Sequence, residues 1–450
     1  MKDILNAQKS FFKSDATKPY TFRKTQLETL YRIIQANESA IKEALKKDLN
    51  KSSFEAYATE IGFTLHSIRQ TLKRLKKWMN PKKVKTPIYQ GLSKSKIYYE
   101  PKGTVLIIGP YNYPFQLVIE PLIGAIASGN TAIIKPSEFS SHTETLIEKL
   151  LNETFDSAYI YVKTGGVETT QALLTHAYDH IFFTGSTRVG QIVYEAASKH
   201  LTPVTLELGG KSPAIITKDA NLKVTAKRIA FGKFLNAGQT CIAPDYLYID
   251  QAVKQEFLTI LSETLKAFYA HESTSYPTII NEKHFNRIKD LVDPNKVIFG
   301  FETDSKTLTI TPTIVDNVTF DDPIMQEEIF GPILPVLTFD STDMLFTTLK
   351  EKAKPLALYI FSESKPMHQN VIDRLSFGGG AINDTVLHVA NPYLPFGGVG
   401  TSGMGKYHGW YSFETFSNMK SIMKKSTKFD PNLTYPPYDK KEKLVKKILK

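Results

Sequence analysis

The sequence predicts an α/β protein built on parallel sheets, and three observations lead to this prediction. Short apolar runs of strand length alternate with helical segments along most of the chain. These runs are apolar at successive positions, which is typical of strands buried on both faces. The chain has 450 residues, enough for two or three closely packed lobes, and it contains no long Gly/Ser linker.

Residues 22–79 are predicted to be helical. Leucine and isoleucine recur at helical spacing from Leu27 to Leu45 and again from Leu65 to Leu75, and charged residues occupy the other positions. Lysines and arginines cluster between residues 73 and 85, at the end of the second helix. We interpret this cluster as a solvated helix face and turn, and not as a nucleic-acid site.

Eight buried strands are predicted in the part of the chain that follows. They form two groups, 104–108, 131–134, 159–162 and 180–183, then 213–216, 246–249, 335–337 and 356–361. Ligands of parallel sheets lie beyond the carboxyl ends of the strands. Asn112, Lys135 and Gly185 fall at such ends, so a ligand site is expected there.

Composition excludes several classes of protein. Lys and Arg number 56 against 45 Asp and Glu, a formal charge of +11, but no aromatic-basic signature of nucleic-acid binding accompanies the excess. One cysteine allows no intrachain disulfide, and the N-terminus lacks a secretory signal pattern. Prolines and polar residues interrupt the most apolar stretch, 104–136, which therefore cannot span a bilayer as one helix. A cytoplasmic protein without a nucleic-acid partner is expected.

Three residues are candidates for catalysis. Cys241 follows a polar, glycine-containing segment that could expose its thiol, although an isolated cysteine is more often a small buried residue. Glu207, between two leucines, could have the raised pKa that suits a general base, or it could simply end a strand. Asn112 lies between two prolines and could donate a hydrogen bond to an oxyanion, or it could serve only a turn.

Two further segments could bind a cofactor. The segment 184–190 contains Gly185 and Ser186, follows a buried strand and opens a helix, so its backbone N–H groups could approach a phosphate. It departs from the G-x-G-x-x-G fingerprint. Lys135 and Glu138 follow another strand and could hold a ribose, or they could belong to an ordinary helix start that Ser137 caps. The residues include no metal-ligand cluster, and no metal is expected.

Four long motifs together resemble the aldehyde dehydrogenase superfamily, and most of all its class 3 branch. The motifs occupy residues 206–213, 236–246, 325–332 and 394–405. The resemblance extends from about residue 20 to about residue 438. It implies a Rossmann-type dinucleotide-binding lobe (1–85 and 102–209), an α/β catalytic lobe (210–395), a β bridging and oligomerisation element (86–101 and 396–430) and a basic tail (431–450).

The resemblance also implies roles for individual residues. Cys241 matches the nucleophile, Glu207 the general base and Asn112 the oxyanion-binding amide. The residues that match cofactor positions are Lys135 and Glu138 at the adenosine ribose, Gly185 and Ser186 at the pyrophosphate, and Glu328 and Phe330 at the nicotinamide ribose. Tyr111 and Tyr113 flank Asn112 and are expected to shape the aldehyde tunnel.

The implied reaction is oxidation of a medium- or long-chain aliphatic or an aromatic aldehyde to its carboxylic acid, through a Cys241 thiohemiacetal and thioester. Glu138 would accept the 2′-OH of NAD and repel a 2′-phosphate, so NAD is favoured, while NADP remains open because similar enzymes accept both. A homodimer is expected. Two alternatives are an acylating, coenzyme A-dependent enzyme, against which Glu207 argues, and a catalytically silent binding protein.

The C-terminal tail suggests a second property. Leu444, Val445, Ile448 and Leu449 lie on one face of a possible helix that is otherwise rich in lysine. A basic amphipathic helix can bind an anionic membrane surface, and a frayed, solvated terminus is the ordinary alternative. Peripheral contact with the inner membrane face therefore stays open beside a purely cytoplasmic location.

Overall fold

The computed structural model describes residues 1–269, 276–428, 430, 432 and 435–449. Within them lie two large, mainly parallel sheets flanked by helices, which confirms the predicted α/β class. The helices are Lys2–Lys13, Tyr20–Ala36, Glu38–Leu49, Ser53–Ala56, Gly62–Trp78, Gln116–Ser128, Ser141–Thr154, Val167–Leu174, Thr187–Ser198, Leu222–Phe234, Lys254–Tyr269, Glu282–Asp290, Thr342–Glu351, Lys365–Arg374, Trp410–Thr415 and Glu442–Ile448, with a π-helical turn at Tyr57–Ile61.

The first sheet has six strands. In spatial order they are Gly403–Met404, Val204–Glu207, His180–Thr184, Thr104–Ile108, Thr131–Lys135 and Ile160–Val162. Every neighbouring pair is parallel except the first, in which Gly403–Met404 runs antiparallel. The three central strands are buried at every position, as expected for a parallel sheet with helices on both faces.

The second sheet has seven strands. Their spatial order is Val297–Phe299, Thr313–Val315, Ile333–Phe339, Tyr246–Asp250, Pro213–Ile216, Ala357–Phe361 and Gly379–Ile382. An antiparallel pairing occurs at the Val297–Phe299 edge. All eight strands predicted from apolar runs are present, with ends that differ by a few residues, because such runs indicate burial better than they indicate boundaries.

A three-stranded antiparallel sheet pairs two strands that precede the first large sheet in the sequence with one strand near the C-terminus. Its strands are Lys82–Val84, Ser93–Pro101 and Ser417–Lys425, and the last two pair along their whole length. The division at residues 85, 209 and 395 stays a prediction. Two short strands do not follow this division. Lys82–Val84 lies before residue 85 but belongs to the three-stranded sheet, and Gly403–Met404 lies after residue 395 but belongs to the six-stranded sheet.

The helix Lys2–Lys13 had no counterpart in the sequence prediction. It packs on the six-stranded sheet, where the Gln8 amide donates to the carbonyl oxygens of Ala132, at 2.9 Å, and Ser157, at 3.1 Å. Among its residues, Leu5 and Gln8 are buried. The large apolar residues of the helix, at positions 4, 5, 11 and 12, recur at helical spacing, so the sequence did carry a helical pattern here. Within the described ranges, every helix is too short or too polar to cross a lipid bilayer.

Candidate active site

The predicted site residues gather where the parallel strands end. Glu207 is the last residue of its strand and pairs in register with Thr184, the last residue of the neighbouring one. The Gly185 backbone N–H then donates to the Glu207 carbonyl oxygen at 3.0 Å. The topology therefore places the predicted base beside the predicted phosphate-binding turn, although 22 residues separate Gly185 from Glu207 in the sequence.

The loop before Cys241 has an unusual backbone. Asn236, Ala237 and Gly238 all adopt left-handed conformations, with φ of 53°, 50° and 72°. At Gly238 a β-carbon would lie 2.2 Å from the Gly331 carbonyl oxygen, so the close approach requires glycine. Left-handed non-glycine residues store strain and persist where surrounding contacts impose them, often at functional sites. Here the Gln239 side chain donates to the Asn236 carbonyl oxygen at 3.2 Å.

The Cys241 thiol lies at the end of this loop and is partly accessible. Burial raises the pKa of the thiol, and the charges of Glu328 and Glu207 raise it further. Backbone N–H groups of Cys241 and Ile242 donate toward the sulfur and oppose that rise. The thiol must lose its proton before the sulfur can attack a carbonyl carbon, and hydrolysis of the resulting thioester needs a base nearby.

Glu207 has the properties of such a base. Its carboxyl group is 2% exposed, and within the described part of the chain neither oxygen has a hydrogen-bond partner. Burial raises the pKa of Glu207 well above its usual value, and the nearby Lys406 ammonium opposes the shift. A β-carbon at Gly397 would lie 2.9 Å from Glu207 Oε1, so the chain approaches the carboxylate closely.

Asn112 lies against the Cys241 loop. Its side-chain Nδ2 donates to the Gln239 carbonyl oxygen at 2.9 Å, two residues before the thiol. The backbone carbonyl oxygen of Asn112 accepts hydrogen bonds from Lys51 Nζ at 3.0 Å and from Asn236 Nδ2 at 2.8 Å. The amide is thus buried and held next to the backbone that leads to the nucleophile.

Lys135 ends the strand that neighbours the Thr104–Ile108 strand before Asn112, and Glu138 follows it. They form an ion pair of 3.0 Å, and Glu144 approaches the same ammonium at 3.7 Å. Glu144 also accepts the Gly165 backbone N–H at 3.1 Å, while burial raises its pKa. A buried lysine with acidic neighbours offers both a donor and acceptors, which suits the hydroxyl groups of a ribose.

The turn at Gly185 and Ser186 fits a phosphate group. Ser186 caps the helix Thr187–Ser198 by accepting the Val189 N–H at 3.4 Å, so the remaining first-turn N–H groups face outward. The buried hydroxyl of Thr184 has no partner within the described residues. A dinucleotide that lies along this strand end would supply a hydrogen-bond partner for the Thr184 hydroxyl.

Glu328 and Phe330 are the two residues predicted to hold the nicotinamide ribose. The Glu328 carboxylate accepts the Gly210 N–H, and a β-carbon at Gly209 would lie 1.9 Å from it. Burial raises the pKa of Glu328 to about 8, with help from the charge of Asp245. Phe330 has a φ of 50°, a strained value for an aromatic residue.

The two tyrosines beside Asn112 face different surroundings. Tyr111 packs edge-on against the Phe330 ring, with centroids 5.9 Å apart, and therefore lies on the predicted cofactor side. Tyr113 is buried, and its hydroxyl shares a 2.6 Å hydrogen bond with Thr240, the residue before Cys241. Tyr113 thus supports the nucleophile loop, and a contact of either tyrosine with substrate stays a prediction.

Several site residues were missed by the sequence analysis. Lys406 and Glu144 carry no local signal, because a lysine or a glutamate near a strand or helix end is common. Lys51 and Glu60 lie in the helical part of the chain and are buried there as an ion pair. Their positions depend on contacts between distant segments.

Comparisons with known proteins agree with this geometry. The sequence profile of the aldehyde dehydrogenase family matches residues 1–422. The chain is 54% identical to the 4,4'-diaponeurosporen-aldehyde dehydrogenase of Staphylococcus aureus (strain NCTC 8325 / PS 47) over 98% of this chain and 97% of the relative. It is 44% identical to the dimeric NADP-preferring aldehyde dehydrogenase of Mus musculus, over 97% of this chain and 98% of the relative.

A solved structure gives the same result. The structure titled "Substrate bound state of Staphylococcus Aureus AldH" superposes with a TM-score of 0.98 at 53% identity, covering 100% of this chain and 99% of the other. The family profile and the relatives support the oxidation of aldehydes to carboxylic acids with NAD or NADP. The chain therefore belongs to the aldehyde dehydrogenase family and is an NAD(P)-dependent oxidoreductase that acts on aldehydes.

Proposed function

We propose that Cys241 is the nucleophile, Glu207 the general base and Asn112 the oxyanion-binding amide in the oxidation of a long apolar aldehyde. The observation that carries these roles is Glu207, a buried carboxylate without a hydrogen-bond partner among the described residues, whose charge acts on the Cys241 thiol. A carboxylate whose pKa is raised by burial is a stronger base than an ordinary one. It also argues against transfer of the acyl group to coenzyme A.

The chemistry follows from these positions. The Cys241 thiol gives its proton to water, and the resulting thiolate sulfur bonds to the aldehyde carbon. The C=O π electrons move to oxygen, beside Asn112. The bound nicotinamide cofactor would supply the acceptor for the hydride that this carbon loses as its C=O bond re-forms, which leaves a thioester on Cys241. Glu207 next removes a proton from water, and the water oxygen bonds to the thioester carbon. The C–S bond then breaks, Cys241 departs as the thiolate and the carboxylic acid is released.

The cofactor would lie along the carboxyl ends of the six-stranded sheet. Lys135 and Glu138 would hold the adenosine ribose, and Gly185 and Ser186 would receive the pyrophosphate at a helix N-terminus. Glu328 and Phe330 would hold the nicotinamide ribose. We prefer NAD because the carboxylate of Glu138 repels a 2′-phosphate, although the murine relative is named NADP-preferring.

The surroundings of Cys241 support an apolar substrate. Tyr359 donates its hydroxyl to the Ile242 carbonyl oxygen at 2.6 Å, and its ring packs against His388. Burial lowers the pKa of His388 to about 4, so this imidazole is neutral. Nearby, Ile382 and Leu387 are exposed. The name of the staphylococcal relative, 4,4'-diaponeurosporen-aldehyde dehydrogenase, supports an aldehyde as the substrate.

Substrate preference is tested by turnover with purified enzyme. We expect kcat/KM to rise from hexanal to a long-chain aliphatic aldehyde and to be lowest with benzaldehyde, because each buried methylene stabilises the complex by about 0.8 kcal/mol. Each aldehyde is assayed with NAD and with NADP, by the absorbance of the reduced cofactor. Equal kcat/KM for hexanal and the long-chain aldehyde would contradict the proposed apolar path.

We also propose a cytoplasmic homodimer with peripheral membrane contact. The word "dimeric" in the name of the murine relative supports the dimer. The helix Glu442–Ile448 supports the membrane contact, since its Leu444 and Ile448 are exposed among lysines. The full chain is expected to sediment with anionic vesicles more than a chain ending at Tyr438 does, and less so at high salt. Equal sedimentation of the two chains would exclude the tail as an anchor.

A further inference from the structure

Lys51 and Glu60 form a buried ion pair behind the active site. Their side chains are completely buried, and Lys51 Nζ lies 2.5 Å from Glu60 Oε1. Neither residue belongs to the catalytic or cofactor-binding groups described above. Two charges removed from water in this way are costly unless each makes further hydrogen bonds, so the partners of the pair show what it holds.

Both members of the pair bind the segment that carries Asn112. Lys51 Nζ donates to the Asn112 carbonyl oxygen at 3.0 Å and lies 4.0 Å from the centre of the Tyr113 ring. Glu60 Oε2 accepts the backbone N–H groups of Phe115, at 2.9 Å, and Gln116, at 3.1 Å. The pair therefore holds the segment at Asn112 itself and again three and four residues after it.

The same helical region also reaches the Cys241 loop. Glu55 Oε1 accepts the Asn236 backbone N–H at 2.8 Å, and the Asn236 side chain donates in turn to the Asn112 carbonyl oxygen. A π-helical turn, Tyr57–Ile61, begins after Glu55 and contains Glu60. Such turns are uncommon and frequently occur at functional sites, where they redirect a side chain.

The geometry points to Lys51 and Glu60 as positioning residues that hold Asn112 against the loop of the nucleophile. This inference rests on the proposed oxyanion role of Asn112. The ion pair itself touches no reacting atom. It fixes the backbone from which the Asn112 amide projects, and misplacement of a catalytic group by about 1 Å can cost on the order of 10² in rate.

The first test compares two lysine variants of the full-length enzyme. Lys51→Met is expected to lower kcat about 10²-fold while the KM for NAD stays unchanged, because the cofactor site lies elsewhere. Lys254→Met is the matched control, since it breaks another ion pair, Lys254–Asp316 at 2.7 Å, outside the site. It should keep the wild-type kcat. A wild-type kcat in Lys51→Met would overturn the inference.

Loss of one buried partner can prevent folding, so a second variant removes both charges. Lys51→Met/Glu60→Met leaves no unpaired charge in the interior and is expected to fold. Thermal melting measures its stability, and kcat is measured below the melting transition. A folded double variant should retain the low kcat, because the hydrogen bonds from the ion pair to the Asn112 segment are gone. A folded double variant with normal kcat would refute the positioning role.

A double-mutant cycle with Asn112 separates this inference from the proposed function. Asn112→Ala alone should lower kcat by about 10²–10³-fold, and adding Lys51→Met should lower it no further, because both changes remove the same function. A multiplicative further loss would show that Lys51 acts elsewhere. Normal kcat in Asn112→Ala would refute the oxyanion role and this inference with it, while Cys241 and Glu207 are tested by their own variants.

Discussion

Replacing Cys241 with alanine is expected to abolish aldehyde oxidation, with kcat falling on the order of 10⁴-fold or more. The reason is chemical, since without the sulfur no thiohemiacetal forms and the hydride has no covalent intermediate from which to leave. The measurement is reduced cofactor formed per minute with the preferred aldehyde. Binding of NAD to the variant should persist, because the predicted cofactor residues are unchanged.

The chain's single cysteine provides a direct control for this variant. Iodoacetamide should label one thiol per wild-type chain and abolish its activity, and it should leave Cys241→Ala unlabelled. Because burial and two neighbouring carboxylates raise the pKa of the thiol, labelling should accelerate as pH rises. Full activity in a completely alkylated enzyme would refute the role of Cys241 as nucleophile.

Glu207→Gln is expected to stop turnover after the first thioester has formed. Without the base, kcat should fall about 10²–10⁴-fold, the usual contribution of a positioned acid–base group. A rapid-mixing experiment should show a burst approaching one reduced cofactor per active site, followed by a slow steady state. Glu43→Gln, a change to an exposed surface carboxylate, is the control and should keep the normal steady-state rate.

The pH dependence of the wild-type enzyme follows from the same residue. Burial raises the pKa of Glu207, and only its ionised form can accept a proton from water, so kcat should increase as pH rises through that pKa. Glu207→Gln should lack this increase in its residual rate. An identical pH profile in the variant, or wild-type kcat without any burst, would exclude Glu207 as the base of the hydrolytic step.

The amino-acid sequence alone determined the fold class and the main chemistry of this protein. Apolar runs predicted eight of the thirteen strands that the described residues form in the two large sheets, because continuous burial leaves a local signature in the chain. Cys241 and Glu207 could be named because they lie in long motifs, and Asn112 because it follows a buried strand between two prolines, although each residue by itself had an ordinary explanation. The helix Lys2–Lys13 was missed, although its apolar residues recur at helical spacing.

Only the tertiary structure decided how these groups are held and tuned. The pKa of Glu207 depends on burial and on Lys406, about 200 residues away along the chain. The Asn112 carbonyl oxygen is bound by Lys51 and by Asn236, which come from opposite sides of it in the sequence. Hydrogen bonds, desolvation and charge interactions act through distances in space, and those distances exist only once the distant segments have packed together.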